Sequence, residues 1–247
     1  MDKIMAFLNE TVFPIASKIT SKFNSGKLTQ RTLSAIVLIV LTLLAIYIGG
    51  TPFALFIIFL CAVSLYEWVE MSLKSEHKVM LLSAGFVYLP LSFLSCYVLR
   101  EQFELSTGVL LVLLVWGSDI AAYFTGKIIG GPKLLEAISP NKTWAGFFGA
   151  FVIPGFIAVF WVESFDLFYA PSYGVVVTAI LSFALGAAAG IVGQVGDLMM
   201  SALKRHVGVK DTGRIIPGHG GLLDRIDSLM LAAPMFLAFL TALAYIL

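Results

Sequence analysis

Charge is scarce in this chain. Of 247 residues, 13% are Asp, Glu, Lys or Arg and 59% are hydrophobic, with a mean hydropathy of +0.96. A soluble globular domain is about 25% charged and about 45–50% apolar, so the composition argues against a soluble fold and for an integral membrane protein. A basic excess is also missing. The formal net charge is +1, which leaves no counterion release to drive nucleic-acid binding, and nucleic acid is not an expected partner. The two cysteines, Cys61 and Cys96, lie in apolar runs with no CxxC or Cys/His cluster, which argues against a disulfide framework or a thiolate zinc site. The G-x-x-x-x-G-K-[ST] phosphate loop is absent, as is any convincing internal repeat.

What the chain has instead is long apolar runs. Stretches near 33–49, 52–66, 79–99, 107–125, 144–162, 174–196 and 229–247 approach the roughly 20 residues a membrane helix needs. They predict an all-α, polytopic transmembrane helical bundle of about seven spans, forming one membrane domain over 31–247. The 52–66 run is short and reads as tilted or partly re-entrant, and Pro90 predicts a kink in the third span. Before the first span, Ile4, Leu8, Val12, Ile15, Ile19 and Phe23 recur at helical spacing, with Lys18 and Lys22 off that stripe. This pattern predicts an amphipathic helix over 1–30 lying on the membrane surface. With the N-terminus in the cytoplasm, seven spans put fifteen of the sixteen Lys and Arg residues inside and leave Arg100 outside, as the positive-inside rule requires.

Against this background the polar groups stand out. A charged side chain at mid-membrane costs about 2.5–3.5 kcal/mol on insertion scales, so such groups imply use. Asp197, Ser201 and Lys204/Arg205 are spaced i, i+4, i+7/i+8 and share one helix face. A carboxylate, a hydroxyl and two cations suit a metal-bound polyphosphate. The glycine-rich loop 206–221, which holds His219, Gly220 and Gly221, can turn backbone N–H groups toward an anion. Asp224-Arg225-Ile226-Asp227 opens the last span, where helix capping accounts for one acid more easily than for two. Two carboxylates from separate helices can hold a divalent metal. A second cluster lies upstream. Asp119 sits in an apolar run, with Tyr123 and Lys127 following on the same face, and then come Ser139, Lys142 and Thr143.

These residues carry a family resemblance. Ser201-x-x-Lys204-Arg205-x5-Asp211-x5-Pro217-Gly-His219-Gly-Gly-Leu-x-Asp224-Arg225-x-Asp227 resembles the C-terminal signature of the phosphatidate cytidylyltransferases, or CDP-diacylglycerol synthases. Ser118-Asp119 and Ser139-Pro140-x-Lys142-Thr143-Trp144 are similar to upstream motifs of that family, so the motif-bearing part is 107–247. Asn141 and Ala145 depart from the basic residue and the Glu that many members carry. The resemblance implies that CTP and phosphatidate react to CDP-diacylglycerol and pyrophosphate with Mg2+. The expected site is then as follows. Asp197 and Asp224 hold the metal. Lys204 and Arg205 neutralise phosphoryl charge. Asp227 completes the metal shell or orients Arg225. Ser201, His219, Gly220 and Gly221 contact phosphate, and Asp119, Ser139 and Lys142 line the opposite wall. A homodimer in a bacterial inner membrane, with the site facing the cytoplasm, is also expected. A transporter is the rival reading for an intramembrane Asp119, but the charges collect at one face and leave no polar trail across.

Overall fold

The computed structural model describes residues 27–165, 174–216 and 220–246. Most of the amphipathic segment expected over 1–30, together with His219, lies outside the described residues. The described chain forms seven helices and one hairpin: α1 (Lys27–Ile48), α2 (Gly50–Ser72), α3 (Lys78–Gln102), α4 (Glu104–Ile128), β1 (Lys133–Leu135), β2 (Ser139–Thr143), α5 (Trp144–Phe165), α6 (Gly174–His206) and α7 (Leu223–Ile246). The architecture is an all-α polytopic bundle. Helices α2 to α7 are long and apolar enough to span a membrane, whereas the apolar part of α1 is the shorter stretch Thr32–Ile48. The second span is full length, not short or re-entrant. Its apolar run ends before Glu67, but the helix continues to Ser72, for 23 residues in all. Helix α3 runs through Pro90 unbroken.

The centre of the bundle is α4, α5, α6 and α7, with α3 closing one side. Phe236 and Leu240 of α7 are buried among Leu110, Leu114, Ala158, Leu185 and Ala189. Small residues let α5 and α6 approach closely. A Cβ on Gly186 would lie 2.2 Å from the Pro154 carbonyl oxygen, and one on Gly190 would lie 2.0 Å from that of Ala150. Lipid offers apolar side chains nothing they lack between helices, so close backbone packing of this kind is the main source of association. A second core joins Trp68 and Met71 of α2 to Leu89, Phe93, Met200, Leu223 and Met230.

Opposite ends of the bundle differ in chemistry. At one end, Arg100 donates from Nε to the Ile46 carbonyl at 2.5 Å, and Glu101 accepts from the Gly50 N–H at 2.9 Å. These bonds satisfy backbone groups that the α1–α2 turn leaves open. The other end carries the hairpin. Its strands pair antiparallel, with Lys133 opposite Thr143 and Leu135 opposite Ser139. The sequence predicted no strand here. The segment is polar and lies between spans, and pairing satisfies its backbone groups while Pro140, which has no N–H to give, sits in a short two-stranded ribbon with no third strand.

Candidate active site at the hairpin end of the bundle

The polar residues converge where α2, α4 and α6 end and α7 begins. Helix α6 has 33 residues and is about 50 Å long at 1.5 Å per residue, more than the roughly 30 Å hydrocarbon core. Asp197 sits about 35 Å along it, farther than the length of helix that the hydrocarbon core takes up.

A cavity of about 630 Å³ opens at this end between α4, the hairpin, α5 and α6. Asp119, Lys127, Ser139, Lys142 and Asp197 line it, with Tyr123 and Phe147 as aromatic wall. Lys142 is the hub. Its Nζ lies 2.7 Å from Asp197 Oδ2 and donates to Gln194 Oε1 at 2.8 Å. Gln194, 2% exposed, uses its amide N–H to reach Asp119 Oδ1 at 3.0 Å. Ser228 Oγ donates to both Asp119 oxygens at 3.4 Å, and Ser201 Oγ donates to Asp197 Oδ1 at 3.2 Å. The i, i+4 face read from the sequence is therefore real. Lys127 donates to Tyr123 Oη at 3.4 Å, as their four-residue spacing requires.

A second set of contacts organises the loop between α6 and α7. Asp224 Oδ1 pairs with Lys204 Nζ at 2.8 Å, and both side chains are nearly buried, at 4% and 12% exposure. Asp224 Oδ2 accepts the N–H groups of Thr212 and Gly221, at 2.9 and 3.0 Å. Glu67 of α2, fully buried, accepts the N–H groups of Leu222 and Leu223 at 2.8 and 2.9 Å and the Thr212 hydroxyl at 3.1 Å. Asp227 accepts the Ser228 N–H at 2.9 Å. It lies close enough to Asp197, Asp119 and Lys204 for their charges to interact.

The structure thus brings Asp119, Ser139, Lys142 and Asp197 to one cavity and attaches Ser201 to its edge. Lys204 and Asp224 form a neighbouring pair, while Arg205 and Arg225 are exposed close by. Gly220 takes a left-handed φ of +89°, and Gly221 is buried between Thr212 and Glu67. Asp197 and Asp224 are in these two adjoining sets, and Lys204, on the helix that carries Asp197, reaches Asp224. Among the described residues, no three His, Cys, Asp or Glu side chains stand together as a ready metal cage. The residues that sequence reasoning missed are Glu67, Gln194, Thr212 and Ser228. Glu67 carried a usable signal, because an acid in an apolar span is a functional hypothesis by default. Gln194 carried none, being a neutral side chain in a stretch of small residues.

Six helices long and apolar enough to cross a membrane, with carboxylates and lysines gathered at the hairpin end, define a polytopic membrane protein. The chain belongs to the cytidylyltransferase family, whose model matches residues 72–243. The phosphatidate cytidylyltransferase of Brucella suis biovar 1 (strain 1330) is 36% identical over 264 aligned positions, covering 87% of this chain and 93% of the relative. That of Rickettsia typhi (strain ATCC VR-144 / Wilmington) is 34% identical, covering 83% and 89%. That of Bacillus subtilis (strain 168) is 43% identical over 143 positions, covering 58% of this chain and 50% of the relative.

Proposed function

We propose that this protein is an integral membrane nucleotidyltransferase of phospholipid synthesis, joining the cytidylyl group of CTP to phosphatidate with release of pyrophosphate. Family membership and the names of its relatives support the reaction. The observation that carries it in the structure is the cavity of about 630 Å³ with Lys127 and Lys142 facing Asp119 and Asp197. Ligand pockets typically measure about 300–1,000 Å³, and this one opens at an end of the bundle, as a site shared by a membrane lipid and a dissolved nucleotide would.

The phosphate of phosphatidate is already an oxyanion, so the reaction needs no strong base. An oxygen of that phosphate attacks the α-phosphorus of CTP, a new P–O bond forms, the bond from Pα to the α–β bridging oxygen breaks, and pyrophosphate leaves with the electron pair. The barrier is repulsion between two polyanions, and catalysis is alignment and charge neutralisation. Lys142 meets the phosphates from the hairpin side. Lys204 and Arg205 meet them from α6, and Ser201, Ser139, His219 and Gly220 add hydrogen bonds, whereas the N–H of Gly221 is taken by Asp224. Gln194 holds Lys142 and Asp119 in register. Arg225 faces solvent beside Asp227 and steers anions to the mouth.

Mg2+ fits these residues, because it is usually held by one or two carboxylates with waters and substrate phosphates completing the shell, and a full protein cage is not needed. Asp197, its side chain 27% exposed at the cavity, would be the first ligand. Asp224, whose Oδ1 is paired with Lys204, would be the second ligand, with Asp227 in support. When bound, the ion would withdraw charge from phosphate oxygens. The site faces the cytoplasm of a bacterial inner membrane in this proposal, since the hairpin end carries nearly all the basic residues. Pairing of two chains as a homodimer completes it.

The test is turnover by the purified protein in detergent, with CTP and phosphatidate, following pyrophosphate and CDP-diacylglycerol together. Activity abolished by EDTA and restored by Mg2+ is expected. No product from phosphatidate, or product from polyprenyl phosphate instead, overturns the assignment.

A further inference from the structure

We propose that Glu67 is a positioning residue for this site: from α2 it anchors both ends of the 212–223 loop and thereby fixes Asp224 and Lys204. The inference rests on the proposed cytidylyl transfer. Glu67 lies outside the matched family segment, 72–243, and takes no direct part in the reaction outlined above.

The geometry is specific. A carboxylate with no exposure needs partners, and among the described residues Glu67 forms no ion pair. It is satisfied instead by three loop donors, Thr212 Oγ1, Leu222 N–H and Leu223 N–H, from 145 to 156 residues away. The two N–H groups belong to the start of α7, where a helix leaves donors unmet and where negative charge is favoured. Such a cap normally comes from the residue just before the helix. Here a different helix supplies it.

The loop is also shaped around this side chain. A Cβ on Gly213 would lie 2.7 Å from Glu67 Oε1, and one on Gly221 would lie 2.6 Å from Oε2. Thr212 and Gly221 are the same residues whose N–H groups hold Asp224 Oδ2. Glu67 and Asp224 therefore grip one pair of loop ends from two sides, and Asp224 Oδ1 in turn holds Lys204. Loss of the Glu67 grip leaves these loop ends without their tie to α2, held through Asp224 of α7.

The experiment compares wild-type protein with Glu67→Gln and Thr212→Val in detergent, in two readouts. Glu67→Gln keeps the shape but presents an NH2 group to a backbone N–H. The first readout is steady-state turnover of CTP with phosphatidate, per folded molecule. Glu67→Gln should lower kcat by at least roughly 30-fold with KM for CTP within about threefold, and Thr212→Val should lower kcat by roughly three- to tenfold, as expected for loss of aligned charge instead of loss of binding. The second is the initial rate of trypsin cleavage after Lys210 and Arg214, which should rise at least roughly tenfold in Glu67→Gln because cleavage follows the open population of the loop. A kcat within twofold of wild type, or a loss of activity matched by the loss of folded protein alone, overturns the proposal. If the wild type itself makes no CDP-diacylglycerol, the reaction assignment fails, and an unchanged cleavage rate then removes the anchoring role as well.

Discussion

Gln194 offers the sharpest test of the cavity. It accepts from the Lys142 ammonium at 2.8 Å and donates to the Asp119 carboxylate at 3.0 Å. Hydrogen bonds to charged groups contribute about 1.5–3 kcal/mol each. Gln194→Met keeps the length of the side chain and removes both of these bonds, along with a longer one from the amide to Ser118 Oγ at 3.4 Å. Neither charged partner is orphaned, because Lys142 retains Asp197 at 2.7 Å and Asp119 retains the Ser228 hydroxyl at 3.4 Å. The loss therefore falls at the low end of the range, about 3 kcal/mol for the two bonds together. If all of it bears on the transition state, kcat/KM falls on the order of 100-fold, since each 1.36 kcal/mol is tenfold. If half does, the fall is on the order of tenfold. The assay is initial-rate turnover over a CTP series at fixed phosphatidate in detergent, with thermal unfolding as a check on folding. A folded Gln194→Met protein with kcat/KM within twofold of wild type would show that the link between Lys142 and Asp119 has no part in the chemistry.

Three further outcomes follow from the geometry. Lys204→Ala removes one partner of a nearly buried ion pair, a change that typically costs about 3–5 kcal/mol. It should lower both the thermal midpoint and kcat at saturating Mg2+, and an unchanged midpoint in a denaturation scan contradicts the pair. Gly186→Val pushes a side chain into the Pro154 carbonyl and should destabilise the α5–α6 contact by about 1–3 kcal/mol or more, seen as a lower thermal midpoint in detergent, with a wild-type midpoint as the refuting result. Arg100→Ala strips the α1 end of its cap at the far side of the bundle. It should lower the midpoint while leaving KM for CTP unchanged, so a large change in KM would place Arg100's influence at the site itself.

Much of this was legible in the sequence, for a physical reason. Membrane spans are written in contiguous apolar residues, because backbone polar groups in lipid must be satisfied within a helix. All seven described helices accordingly fall on the expected runs. The Asp197–Ser201 contact was legible because i, i+4 neighbours on a helix meet whatever surrounds them. The 52–66 run misled because an apolar count stops at an acid, whereas the helix does not. Glu67 remains helical because its charge is met by loop donors that no local pattern reveals. The hairpin escaped because its strands are only three and five residues long and β2 is polar and holds Pro140.

The sequence by itself determined the solvent this protein lives in, the order of its described helices, and the stretches where charge gathers, since each of these depends on neighbours along the chain. Only the tertiary structure decided which charges meet. Lys142 is joined to Asp197 across 55 residues, and Glu67 to Thr212 across 145. The match between an ammonium and a carboxylate, or between a carboxylate and a helix start, depends on ångström-scale distances that exist only once α2, α4, α6 and α7 have packed.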